Sequence, residues 1–184
     1  MGLFDTLAQV ITSLDEASIP HMVAGSIASA HHGEARSTQD IDIVIDPDVD
    51  RMGMLLARLR SSGLYVGDGI AALTDRSQFN VIDTSSGWKV DLIIRKDRPF
   101  SLEEFRRRQP TAIGAVVVHL VSPEDSILSK LEWGAASGSE RQFADAAAIV
   151  AVRGEELDWA YLARWAVELG VAEQVDRLRP TPKC

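Results

Sequence analysis

Val23-Ala24-Gly25-Ser26-Ile27-Ala28-Ser29-Ala30-His31-His32-Gly33-Glu34-Ala35-Arg36-Ser37-Thr38-Gln39-Asp40-Ile41-Asp42 is the stretch whose reading decides the fold. It runs into Ile43-Val44-Ile45-Asp46, and from Asp40 onward the pattern has a period of two. Such a pattern marks a half-buried strand, because successive side chains point to opposite faces. Asp40 and Asp42 therefore share one face, while Ile41, Ile43 and Ile45 share the other and are predicted to meet a core. Two carboxylates on one face, with no Lys or Arg between them, repel each other and are costly to hold together unless a cation neutralises them. Oxygen ligands of this charge density suit Mg²⁺ or Mn²⁺ rather than zinc.

Working upstream, His21-Met22-Val23-Ala24 reads as a short strand, and Gly25-Ser26 opens a small-residue helix that runs to about His32 and ends at Gly33. Glycine lets the backbone approach a phosphate closely. Ser26 offers a hydroxyl, and the N–H groups of a helix start favour an anion. Downstream, Lys89-Val90-Asp91-Leu92-Ile93-Ile94 places Asp91 on the same face as Lys89, with Val90, Leu92 and Ile94 opposite. This strand forms a hairpin with Phe79–Asp83 across the four-residue loop Thr84-Ser85-Ser86-Gly87. If it also lies beside strand 40–46, the three aspartates meet. Three carboxylates can hold two metal ions about 4 Å apart, the arrangement that supports in-line phosphoryl or nucleotidyl displacement.

Gly25-Ser26, then 13 residues, then Asp40-Ile41-Asp42 and the later Asp91 resemble the signature of the nucleotidyltransferase (polymerase β-like) superfamily. His32-Gly33, Arg36, Thr38 and Asp40-Ile41-Asp42 are similar to its bacterial abortive-infection branch, some members of which are toxins of toxin–antitoxin pairs. Ser122-Pro123-Glu124-Asp125 through Lys130-Leu131-Glu132-Trp133, and Ser139-Glu140-Arg141-Gln142 with Asp145, resemble that branch's downstream motifs. The resemblance spans roughly residues 20–150. It implies that Asp40, Asp42 and Asp91 hold the metal ions, with Asp91 also helping to activate an acceptor hydroxyl. It implies that Gly25 and Ser26 hold nucleotide phosphates, that Arg36 and Thr38 border the pocket, and that Lys130 and Arg141 neutralise the triphosphate. Asp145, one helical turn after Arg141, is expected to orient that arginine.

The rest of the chain sets these residues in a frame. Residues 3–16 read as an amphipathic helix with the stripe Leu3, Phe4, Leu7, Val10, Ile11 and Leu14. Asp46-Pro47 looks like an N-cap with proline at the first helical position, ahead of a helix carrying Met52, Leu55, Leu56 and Leu59. Ser101-Leu102-Glu103-Glu104 predicts a short helix with a capping box. Residues 112–121 predict one apolar strand, and Ser122-Pro123 a helix start, with further helices over roughly 123–136, 140–152, 158–169 and 171–178. The expected architecture is α/β (α+β): a nucleotidyltransferase fold with a mixed, mainly antiparallel sheet over residues 1–121, and a helical subdomain over 122–184 packed on it.

Composition narrows the function classes. The 184 residues carry 19 Lys plus Arg against 27 Asp plus Glu, a net charge of −8, which argues against wholesale binding of DNA or RNA. No apolar run is long enough to span a bilayer, so no membrane role is expected. The one cysteine, Cys184, is terminal, so no intrachain disulfide can form, and a cytoplasmic location is expected.

Plainer readings exist for several residues. Lys130 fits an ordinary surface lysine, and Arg141 with Asp145 fits an i,i+4 ion pair. His31-His32 lacks the partners zinc needs. Gly67-Asp68-Gly69 lacks the third glycine of a dinucleotide fingerprint and reads as a loop. Arg106-Arg107-Arg108 reads as a solvated helix end, and Trp159, Leu162, Trp165, Ala166 and Leu169 as core.

The favoured activity is Mg²⁺- or Mn²⁺-dependent transfer of a nucleoside monophosphate from an NTP to an acceptor hydroxyl on tRNA, a protein or a small molecule. A catalytically silent binding module with an antitoxin partner, and a metal-dependent phosphodiesterase, are the alternatives. The Gly25-Ser26 cradle favours transfer, because a hydrolase has no need to hold a triphosphate.

Overall fold

A computed structural model of the protein describes residues 2–34 and 40–180. The element order is α1 (Leu3–Glu16), β1 (His21–Val23), α2 (Gly25–His32), β2 (Asp40–Ile45), α3 (Val49–Ser61), β3 (Tyr65–Val66), α4 (Gly69–Asp75), β4 (Gln78–Ile82) and β5 (Lys89–Ile94). There follow α5 (Pro99–Arg106), β6 (Gln109–Ile113), β7 (Val116–Leu120), α6 (Pro123–Ser137), α7 (Glu140–Arg153), α8 (Trp159–Leu169) and α9 (Ala172–Leu178). The strands form one sheet in the order β3-β4-β5-β2-β1-β7-β6. Two pairings, β2 with β5 and β1 with β7, are parallel, and the others are antiparallel. The sheet is therefore mixed and mainly antiparallel, as the sequence predicts.

Burial follows the period-two pattern on β2. Ile41, Ile43 and Ile45 are fully buried and join Met52, Leu55 and Leu59 of α3 and Leu7, Val10 and Leu14 of α1 in one apolar cluster. The opposite face of β2 carries Asp40 and Asp42. A second cluster gathers Ile127, Leu128, Leu131, Ile149, Leu162 and Trp165 from α6 to α8, with Phe100 of α5. Each residue of that size withdrawn from water contributes about 1.5–3 kcal/mol, so the C-terminal helices hold together on their own apolar faces. No helix among the described residues is long and apolar enough to cross a membrane.

Four local expectations are corrected. Residues 112–121 are not one strand but the last two residues of β6 and the whole of β7: the chain reverses at Gly114, whose φ of +60° a glycine adopts without strain. The run without polar side chains from Ala112 to Val118 spans that turn and hides it. The cap of α3 is Asp48, which accepts from the Arg51 N–H at 2.8 Å, not Asp46. Helix α5 begins at Pro99 rather than Ser101. Gly67-Asp68-Gly69 is more than a loop, since Asp68 caps α4. By contrast, Ser122 caps α6 with Pro123 in its first turn, and Gly138 ends the helix in the left-handed conformation at φ +70°, as a Ser-Pro start and a glycine stop require.

Candidate active site

The parallel register of β2 and β5 sets Asp42 beside Asp91 and Asp40 beside Lys89. The strand adjacency on which a meeting of the aspartates depended is therefore present, and all of these side chains leave the same face of the sheet. Asp42 feels its neighbours: burial, and next the charges of Asp91 and Asp40, push its carboxyl above the usual range. A backbone N–H from Ser26 and the nearby Lys130 ammonium oppose that rise.

Gly25 brings the start of α2 onto this carboxylate. Its φ is +58°, and a Cβ built on it would stand 1.8 Å from Asp42 Oδ2. The Ala24 N–H also donates to the Asp42 carbonyl at 2.9 Å, so the turn into α2 is laced to β2. Ser26 Oγ donates to the Asp40 carbonyl oxygen at 3.4 Å. Gly25, Ser26, Asp40, Asp42 and Asp91 are thus brought to one place.

Two further side chains complete the floor. Lys89 Nζ lies 3.0 Å from Asp91 Oδ2 and 3.4 Å from Asp40 Oδ1, and the bond to Asp91 raises the lysine's own pKa. Asn80 of β4, directly opposite Asp91, donates its amide to Asp91 Oδ1. Neither was singled out from the sequence. The signal for Asn80 was there, since a four-residue loop over 84–87 fixes the hairpin register that pairs it with Asp91.

Lys130 of α6 is buried and reaches Asp145 Oδ2 at 2.8 Å and Gln142 Oε1 at 3.3 Å, both on α7. It is no ordinary surface lysine. Asp145 therefore orients Lys130, not Arg141, which is exposed. Helical spacing suggested the i,i+4 partner, but the packing of α6 on α7 supplies a closer cation. Arg36 and Thr38 lie outside the described residues.

The remaining basic and histidine motifs are absorbed by the fold. Arg107 donates to Glu124 and Asp125, both at 3.0 Å, and its guanidinium lies 3.9 Å from the Tyr161 ring centroid. Arg106 pairs with Glu103, and Arg108 lies over Phe105. Arg107 and Arg108 are thus tied into the fold, while Arg106, 72% exposed, is the solvated helix end that the sequence predicts. The His32 ring lies 2.7 Å, through Nε2, from the Val121 carbonyl oxygen. Trp165 and Leu162 are core residues.

Among the described residues no group of three or more His, Cys, Asp and Glu side chains is disposed to hold a metal ion. The Lys89 ammonium spans Asp40 and Asp91, so the three carboxylates do not stand as a ready cage. The donor chemistry nonetheless fits a divalent cation. Asp42 and Asp91 are acceptor-only side chains side by side, and their mutual repulsion is what a hard cation relieves.

No family model matches the chain, and no curated protein matches it in sequence. Solved structures do match. The chain is similar to the antibiotic-resistance factor ANT(2'')-Ia in its solution structure, with a TM-score of 0.60 and 16% identity over 94% of this chain and 96% of that one. It is similar to the same protein crystallised in complex with adenylyl-2''-tobramycin, with a TM-score of 0.56, 16% identity and 94% and 97% coverage. An antigenic nucleotidyltransferase-like protein from Paracoccidioides brasiliensis gives a TM-score of 0.53 and 17% identity over 97% of this chain and 93% of that one. The chain has the nucleotidyltransferase fold.

Proposed function

We propose that the protein transfers a nucleoside monophosphate from an NTP to an acceptor hydroxyl and releases pyrophosphate. One observation carries the reading: Asp42 and Asp91 stand side by side beneath a helix start that only glycine at position 25 permits. Carboxylates for a cation and backbone N–H groups for a phosphate then face one another.

Asp42 and Asp91, with Asp40 beside them, would hold Mg²⁺ or Mn²⁺, which when bound supplies charge neutralisation at the α-phosphate and the departing pyrophosphate. The chain's own groups do the rest. Gly25 and Ser26 seat the phosphates at the start of α2. Lys130, fixed by Asp145 and Gln142, sets a positive charge near Asp42. The acceptor oxygen forms its bond to the α-phosphorus as the bond to the bridging oxygen of pyrophosphate breaks, and the leaving group departs with that electron pair. Asp91 takes the hydroxyl proton.

For the acceptor we favour a small, cationic polyhydroxyl compound over RNA. The chain's net charge of −8 attracts cations, and Arg107, the centre of its arginine run, is engaged within the fold. The adenylyl-2''-tobramycin bound to a protein of the same fold is an adduct of this class.

The test offers α-labelled NTPs with Mg²⁺ to aminoglycosides, total tRNA and lysate protein, with Asp42→Ala as control. Label in the aminoglycoside fraction that disappears in Asp42→Ala supports the whole reading. Label in tRNA or protein keeps the transferase and replaces the acceptor. NTP binding without label in any acceptor supports a binding module instead, and release of labelled monophosphate into water supports a phosphodiesterase.

A further inference from the structure

Two ammonium groups face the acid cluster, and they are held in different ways. Lys130 is buried and clamped by Asp145 and Gln142. Lys89 stands on a side chain that is 35% exposed, and its ammonium spans Asp40 and Asp91. Asn80 already occupies the other oxygen of Asp91, so Lys89 covers the oxygen of that residue left for a cation. Asp42 stands directly opposite Asp91 in the register, with Lys89 two residues along β5, opposite Asp40.

An ammonium and a divalent ion held at the same carboxylate oxygens repel each other across a few ångströms. Ejecting Lys89 is sterically open, because its stem already reaches solvent, while ejecting Lys130 would break a buried ion pair with Asp145.

We infer that Lys89 is a built-in counter-ion of the cation-free site, and that a divalent ion enters by displacing its ammonium from Asp40 and Asp91. Lys89 is then a positioning residue that sets the metal concentration at which the site loads, and it keeps the acids together until it does. This rests on the proposed function only in taking the acid cluster as a cation site.

The test is Mn²⁺ binding to the full chain without nucleotide, read as the loss of free-ion signal in electron paramagnetic resonance. Lys89→Gln and Lys89→Met should bind Mn²⁺ about tenfold more tightly than the wild type, since the charge opposing the ion from a few ångströms away is gone. Lys89→Arg keeps that charge and should stay within about threefold of wild type, which holds the inference to account should the neutral variants fold poorly. Asp42→Asn should bind Mn²⁺ weakly in every background. Neutral variants that bind no more tightly than wild type, with Asp42→Asn still impaired, overturn the role of Lys89 and leave the cation site standing. No Mn²⁺ binding by any variant overturns both.

Discussion

A Cβ on Gly25 would stand 1.8 Å from Asp42 Oδ2 and 2.8 Å from Asp42 Cβ, so the absence of a side chain on one residue gives the other its place. The helix start can press onto the carboxylate because nothing intervenes, and the backbone there holds φ at +58°. Gly25→Ala should therefore fold, at a cost of about 1–2 kcal/mol for the left-handed backbone, but with Asp42 driven from its position. A displacement of about 1 Å at a reacting centre costs about a hundredfold in rate, and that loss of transfer is the expected outcome. Thermal melting followed by circular dichroism, alongside the labelled-NTP assay, separates the two effects.

The buried pair Lys130 and Asp145 makes a contrasting prediction, about stability. Both side chains are less than a tenth exposed, at 8% and 9%, and their atoms meet at 2.8 Å. Asp145→Ala strands the Lys130 ammonium in the interior and should cost about 3 kcal/mol. Arg141→Ala, one turn earlier on the same helix but exposed, should change stability by less than about 0.5 kcal/mol. Urea unfolding of the two variants decides the matter. Equal losses would mean that Asp145 stabilises α7 through its helix rather than by holding Lys130.

What could be read from the chain was what local chemistry writes there. The isoleucines of β2 mark its buried face, Ser122-Pro123 starts α6, and Asp40, Asp42 and Asp91 are recognisable because β2 and β5 each carry a period-two pattern. Long-range pairing is not written that way. Asp145 had a plausible partner four residues away, and only the packing of α6 on α7 shows that Lys130 takes its place. Arg107 looked like a solvated helix end because its partners, Glu124 and Asp125, belong to the first turn of another helix. Lys89 was placed on the correct face, yet its bridge to Asp40 depends on which strand neighbours β5. The hairpin at Gly114 vanished because both of its strands are apolar on either side of the turn.

Glu104 of α5 supplies the pH dependence. Burial pushes its carboxyl up to about 7, with Asp125 and Glu132 adding to the rise, against the Ser129 hydroxyl that donates to it at 2.7 Å and the charge of Arg98. The folded pKa lies above that of an unfolded glutamate, so the folded protein binds this proton more tightly. Its contribution is fully present below the ordinary glutamate pKa near 4.5 and is lost as pH rises through about 7. Unfolding free energy from this source should fall by about 2 kcal/mol between pH 5 and pH 8. Glu104→Gln keeps an acceptor for Ser129 and should flatten that slope, with the variant more stable than wild type at pH 8. Urea midpoints measured across the range check it, and a slope unchanged in the variant would assign the titration to another group.

Asn80 is held to Asp91 from the neighbouring strand, where its amide donates to Asp91 Oδ1 while Lys89 takes Oδ2 at 3.0 Å. It touches the carboxylate and not the nucleotide in the proposed reaction, so its removal should act on Asp91 alone. Asn80→Ala removes one of the two contacts that hold that carboxylate and lets it turn out of line with the attacking hydroxyl. The expected result is a kcat lower by about tenfold with the KM for NTP unchanged, the pattern of a contact that matters only in the transition state. Asn80→Asp goes further, because it replaces the donor with a second negative charge against Asp91 and should reduce kcat more than the alanine does. Initial rates over a range of NTP concentrations separate the parameters. A raised KM with kcat preserved would move Asn80 from the base to the nucleotide, and Asp91 would then need another side chain to hold it in line.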